Sequence, residues 1–172
     1  KSFVIPGSNP QARVEDLLHL LDKNRIQYGM ANGGGNLKGF NYSTGKTESF
    51  TLGGNDIVIN AYQPKSVLTQ ILFEPEPALN DSITYDITSW ALPYAYGLNA
   101  YALETRIDPA QEVKWPTFEP NQVNSNTLAY IVPWNAPKHA AFLSALVQEG
   151  IRVRYAEQKF QIGDQIYPSG SL

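Results

Sequence analysis

The sequence predicts an α/β fold: a mostly parallel central sheet flanked by helices, built from two β-α-β-hairpin repeats joined by an aromatic-rich crossover. Two observations predict it. The first is an internal duplication. Phe3-Val4-Ile5-Pro6, Asn9-Pro10, Leu17-Leu18-His19-Leu20-Leu21 and Arg25-Ile26-Gln27-Tyr28 return as Tyr130-Ile131-Val132-Pro133, Asn135-Ala136-Pro137, Phe142-Leu143-Ser144-Ala145-Leu146 and Gly150-Ile151-Arg152-Val153. Each copy is an apolar run closed by Pro, a helical stretch and a second β-type run, which is the signature of a β-α-β unit. The second is size: 172 residues with 42% apolar content suffice for one domain with a real core. Right-handed β-α-β crossovers are assumed.

The elements follow in order. Residues 3–5 read as a buried-type strand. Asn9-Pro10 offers an N-cap and a Pro at the first helical position. Val14, Leu17, Leu18 and Leu21 then fall on one face of a helix. Residues 26–30 form the second strand, and Asn32-Gly33-Gly34-Gly35-Asn36 a flexible loop. Residues 40–42 and 49–52 flank Ser43-Thr44-Gly45-Lys46 as a β-hairpin. A strand over 56–61 completes the first half, residues 1–62.

The crossover occupies 63–126. Pro64-Lys65 opens a helix through Val67, Leu68, Ile71 and Leu72, which stops at Glu74-Pro75-Glu76-Pro77. A short helix over 87–91 is expected to halt at Pro93. Residues 99–103 read as a strand and 115–126 as a polar linker containing Pro. The second half, 127–172, repeats the first as far as its hairpin, a Gly163-Asp164 turn between residues 160–162 and 165–167. Leu18 and Leu143 hold equivalent places and are expected to face the sheet alike. The chain stops at Ser171-Leu172, where a strand equivalent to 56–61 is expected to begin. It opens at Lys1 almost directly in a strand. Residues 1–172 are therefore expected to be one α/β domain cut from a longer protein.

Composition bounds the function. A formal charge of -3 and a pI near 5.3 argue against a nucleic-acid partner. No apolar run reaches the roughly 18 residues of a membrane span, and the opening residues are expected to form a strand and helix rather than a signal peptide. The absence of Cys excludes disulfides, thiolate metal sites and a Cys nucleophile.

Motif by motif, most chemistry fails on spacing. Gly45-Lys46-Thr47 lacks the Gly a phosphate loop needs five residues before Gly45, where Phe40 stands. Gly33 to Gly35 lack the spacing of a dinucleotide site. His19, Asp22 and the distant His139 have the composition of a zinc set, but His19 lies about 140° round the helix from Val14. There is no G-x-S-x-G elbow. Asp81, Asp86 and Glu74 admit a glycosidase-type carboxylate pair, or else capping and turn hydrogen bonds. The densest segment is 81–97, which joins Asp81 and Asp86 to Tyr85, Trp90, Tyr94 and Tyr96. Rigid aromatics among polar groups suit recognition of peptides or sugars, and equally suit packing between the halves.

That segment, with Pro64-Lys65-Ser66-Val67-Leu68, Leu72-Phe73-Glu74-Pro75 and Gly150-Ile151-Arg152-Val153-Arg154-Tyr155-Ala156-Glu157, resembles a known family. It is the accessory region downstream of the catalytic domain in large secreted bacterial zinc carboxypeptidases of the carboxypeptidase A-like family, especially those of Bacteroides-type bacteria. The likeness covers residues 3–172, and Tyr85-Asp86-Ile87-Thr88, Trp90 and Leu92-Pro93 are its most specific part. The family's catalytic domain carries a His-x-x-Glu pair, a later His and a general-base Glu. Here His19 is followed by Asp22, and His139 by Ala140-Ala141-Phe142, so no catalytic residue carries over.

The resemblance implies an amidotransferase-like or flavodoxin-like sheet without a nucleophile. It implies a secreted or periplasmic, non-catalytic accessory domain that packs against a peptidase domain of the same polypeptide or presents substrate to it. Zinc is expected only in that missing domain, and no cofactor in this chain. The alternative is an independent peptide- or glycan-binding module, and a further one is a hydrolase using Asp81, Asp86 or Glu74. The residues expected at a ligand site or interface are Tyr85, Asp86, Trp90, Tyr94 and Tyr96.

Overall fold

The computed structural model describes residues 1–76, 91–110, 112–113 and 126–172. The chain divides into two compact units, Lys1–Trp115 and Pro116–Leu172.

The first unit is organised by a six-stranded sheet in the order β2-β5-β1-β6-β3-β4. Its strands are β1 (Ser2–Ile5), β2 (Gly29–Met30), β3 (Asn36–Asn41), β4 (Lys46–Thr51), β5 (Ile57–Asn60) and β6 (Tyr101–Leu103). Every pairing is antiparallel. This overturns the mostly parallel, amidotransferase-like or flavodoxin-like sheet expected from the sequence. The β-α-β unit is present, but it is split. β5 lies between β1 and β2, pairing Ile5 with Ile57 on one side and Met30 with Ile57 on the other.

The continuous burial of β1 and β5 explains the difference. Both strands are buried along their whole length. Phe3, Ile5, Ile57 and Ile59 join one apolar cluster, while Val4 and Val58 join a second with Ala31, Leu52 and Leu103. Side chains alternate across a strand, so these two clusters lie on opposite faces of the sheet. A strand covered on both faces reads as an unbroken apolar run, which is the mark of parallel sheets. An antiparallel strand at the centre of a covered sheet carries the same pattern.

Helix α1 (Gln11–Lys23) buries Val14, Leu17, Leu18 and Leu21 in the first cluster, as their spacing predicts. Its N-terminus differs from expectation. Asn9 makes no capping bond to the helix. Its side chain instead donates to the Pro6 and Asn99 carbonyls, at 2.8 and 2.9 Å, and accepts from the Asn99 amide at 2.8 Å. Asn9 thereby joins the loop entering α1 to the segment entering β6.

Helix α2 (Ser66–Phe73) ends on the fully buried Phe73, whose ring stacks on Phe3 at 5.1 Å. Helix α3 (Leu92–Ala95) contains Pro93 in its first turn, where the missing N–H costs nothing. Pro93 therefore stands at the opening of a helix. The expected helix over 87–91 lies outside the described residues apart from Ala91.

The second unit contains α4 (Lys138–Gln148) and a hairpin of β7 (Phe160–Ile162) and β8 (Gln165–Tyr167), with Gly163 at φ 57° in the expected turn. No residue of α4 is buried. Leu143 is half-buried, where the equivalent Leu18 is fully enclosed.

Candidate functional site

The expected site residues are divided by the structure. Tyr85, Asp86 and Trp90, with Asp81, lie outside the described residues. Tyr94 and Tyr96 belong to α3 and its C-cap. Tyr96 is half-buried and packs against the first apolar cluster. Burial, and then the nearby Asp16 carboxylate, raise its phenol pKa.

Tyr94 stays 39% exposed, with its ring edge-on to Tyr42 at 5.1 Å. Burial is the main cause of its raised pKa, and Glu76 adds to it. Tyr42 is a core residue whose hydroxyl donates to the Phe73 carbonyl. Burial pushes its pKa far up, with Glu74 and Tyr94 contributing. Both phenols are thus held neutral, Tyr42 as a hydrogen-bond donor and the two rings in edge-on contact.

Glu74 follows α2 as its C-cap, and its Oε2 accepts from Lys1 Nζ at 2.7 Å. Lys1 also lies 3.3 Å from Glu104, and hydrogen bonding to Glu74 raises its pKa against a smaller opposing effect of desolvation. A carboxylate so compensated is a structural partner rather than a general acid.

A second place was not singled out in the sequence. Beyond the C-terminus of α1, Asp22, Arg25, Ile26, Gln27, Tyr28, Glu112 and Val113 line an open cleft of about 520 Å³. Arg25 has φ 57°, the one positive φ at a non-glycine among the described residues. A left-handed residue of this kind costs about 1–3 kcal/mol unless its surroundings compensate it. Here the Arg25 amide donates to the Asp22 carbonyl at 2.9 Å and the Ile26 amide to the Leu21 carbonyl at 3.0 Å. This is a Schellman-type helix end, normally built with Gly.

The Tyr28 hydroxyl donates to Asp22 Oδ1 at 2.9 Å. Desolvation, with that bond, pushes its pKa up to about 12. Gln63 fastens the cleft's floor: its Oε1 accepts from the Gln27 amide at 2.6 Å, and its Nε2 donates to the Gln27 carbonyl at 3.0 Å. The cleft offers a guanidinium, two carboxylates and a neutral phenol, suited to charge pairing and hydrogen bonding with a polar ligand. The signal for it in the sequence is Asn24-Arg25, a helix end lacking Gly, and only the observed φ gives that signal meaning.

Among the described residues no three His, Cys, Asp or Glu side chains converge as a metal site. His19 is exposed, and His139 Nδ1 accepts from the Asn135 amide at 3.3 Å. No helix among them is long and apolar enough to cross a membrane. Comparison with known proteins finds no matching family model, no matching curated protein and no matching solved structure.

Proposed function

We propose that this chain is a non-catalytic accessory domain of a secreted zinc carboxypeptidase, which packs against the peptidase domain or presents substrate to it. The reading rests on the resemblance of the 81–97 segment and its neighbours to such regions. The observation that carries it is the apolar surface of the second unit, where Phe142, Val147, Ile151, Tyr155, Ile162 and Ile166 are all exposed. Exposed large apolar side chains are what an association surface would use. A secreted or periplasmic location belongs to the same proposal.

The test expresses the peptidase domain of the parent polypeptide separately and titrates it with this chain by sedimentation velocity. A one-to-one complex with Kd of about 1 μM or tighter is expected, weakened about tenfold by Ile166→Asp. The chain alone should release no C-terminal residues from peptides. Absence of a complex at about 100 μM, with the peptidase KM unchanged, defeats the proposal.

A second reading, an independent peptide- or glycan-binding module, is favoured by the Arg25–Tyr28 cleft and the exposed face of Tyr94. Calorimetric titration with peptides and oligosaccharides separates the two, because the accessory reading requires no free ligand. A hydrolase using Asp81, Asp86 or Glu74 has least support, since Glu74 is held by Lys1.

A further inference from the structure

The two edges of the six-stranded sheet are finished differently. At one end β2 is two residues long, and on its outer side the Met30 carbonyl accepts from the Ala110 amide at 2.9 Å. At the other end β4 is six residues long and, among the described residues, pairs with β3 alone.

Which groups of β4 point outward follows from alternation. Along an antiparallel strand, successive residues direct both N–H and C=O to opposite sides. Leu52 bonds inward, its amide to the Gly35 carbonyl at 3.2 Å and its carbonyl to the Gly34 amide at 2.8 Å. The register then runs without a break from Asn36↔Thr51 to Asn41↔Lys46. Phe50, Glu48 and Lys46 therefore bond to β3, and Thr47, Ser49 and Thr51 direct their main-chain groups outward. The far side of β3 gives the same parity. There the Tyr42 amide donates to the Ala100 carbonyl at 3.1 Å, which leaves Asn41, Gly39 and Leu37 facing β4.

The outward residues are chemically uniform. Each carries a small hydroxyl and each is exposed. Edges are commonly guarded by a charge, a Pro or a bulge, and none falls at these three places. The charged residues of β4, Lys46 and Glu48, stand at inward-bonded positions, and Glu48 is engaged by the Asn41 side-chain amide and the Thr44 hydroxyl.

We propose that β4 is a self-association edge, pairing antiparallel with β4 of a second copy of this chain about a two-fold axis through Ser49. Centred on Thr47, the pairing would run into the 43–45 turn; centred on Thr51, it would run into Gly53-Gly54. Centred on Ser49, it uses all three outward residues. Ser49 meets its own copy, and Thr47 meets Thr51 of the partner subunit. Each such pair exchanges two main-chain hydrogen bonds, and opposed Thr side chains are favourable in a sheet. Between them Glu48 meets Phe50 of the partner subunit, so no like charges oppose. A two-fold contact uses the same edge on both copies and stops at a dimer. The peptidase reading plays no part in it.

Sedimentation equilibrium of the whole chain tests the pairing. One strand pair buries little area, so a dimer with Kd of about 10–200 μM is expected. Ser49→Pro removes an N–H that β3 does not use, at an edge position where Pro is tolerated, and should weaken the dimer at least about tenfold. Ser49→Lys sets like charges opposite one another across the axis and should weaken it by a similar factor. The chain has no Cys, so introduced thiols report the register. Residues of a hydrogen-bonded pair have Cα atoms about 5.5 Å apart, within disulfide reach. Under mild oxidation Ser49→Cys should cross-link at least about tenfold faster than Thr47→Cys, whose two copies lie about 14 Å apart. A mixture of Thr47→Cys and Thr51→Cys should cross-link in preference to either variant by itself. A chain that stays monomeric at about 1 mM overturns the proposal. So does a dimer that Ser49→Lys leaves intact, or cross-linking of Thr47→Cys at the rate of Ser49→Cys.

Discussion

Leu18 and Leu143 occupy the same place in the two repeats, yet truncating them should have unequal effects. Leu18 is 2% exposed and sits in the main cluster with Phe3, Ile5 and Ile59. Leu18→Ala leaves a cavity in a site that relaxes only partly, so about 3–4 kcal/mol is expected. Leu143 is half-buried on a helix with no buried residue. Its truncation removes about three methylene equivalents at ~0.8 kcal/mol each for full burial, reduced by half and with no cavity left, or about 1 kcal/mol. With an m-value of about 2 kcal/mol/M in urea, Leu18→Ala should lower the midpoint by about 1.5–2 M and Leu143→Ala by about 0.5 M. Far-UV circular dichroism measures both. Hydrogen exchange at the matched Ile26 and Ile151 amides, which bond to Leu21 O and Leu146 O, assigns each loss to its unit. Equal costs, within about 0.5 kcal/mol, would refute the claim that the repeats share a plan but not an enclosure.

Three further outcomes follow from the geometry. Phe73→Ala removes a fully buried ring stacked on Phe3 and should cost about 3–5 kcal/mol, and a thermal-melt loss below about 1 kcal/mol would show that α2 does not close the core. Tyr28 should ionise near pH 12 in an ultraviolet titration of wild type minus Tyr28→Phe. Its folded pKa lies above the unfolded value of about 10, so its contribution to stability is complete below pH 10 and lost as pH rises towards 12. Asp22→Asn should move that titration down, and an unmoved titration removes the hydrogen bond as a cause. A methyl added at Gly39 would lie 2.9 Å from the Ala102 carbonyl oxygen and 3.2 Å from Leu103 Cγ, so Gly39→Ala should force β3 and β6 apart at about 1–3 kcal/mol. Unchanged urea stability in that variant contradicts the pairing of these strands.

What the sequence determined by itself is local. The Val14–Leu21 spacing placed a helix and its buried face, and Gly163-Asp164 located the β7–β8 turn, because both depend on neighbours a few residues apart. The helix ends of the two matched stretches are local in the same way, since the Ile26 and Ile151 amides bond to Leu21 O and Leu146 O. Strand direction was not. Phe3, Val4 and Ile5 are apolar because both faces of their sheet are covered, a condition that parallel and central antiparallel strands share. The insertion of β5 between β1 and β2 is a choice of partner some 55 residues away and leaves no periodicity to read. The site divided in the same way. The aromatic character of Tyr94 and Tyr96 was plain, but folding packs Tyr96 against the main apolar cluster and leaves Tyr94 open beside Tyr42. The Asp22–Tyr28 cleft forms where Arg25 takes a left-handed conformation that the chain's composition does not announce. Only tertiary structure decides which half of a repeated sequence is enclosed, because burial is a property of what packs against a face and not of the face itself.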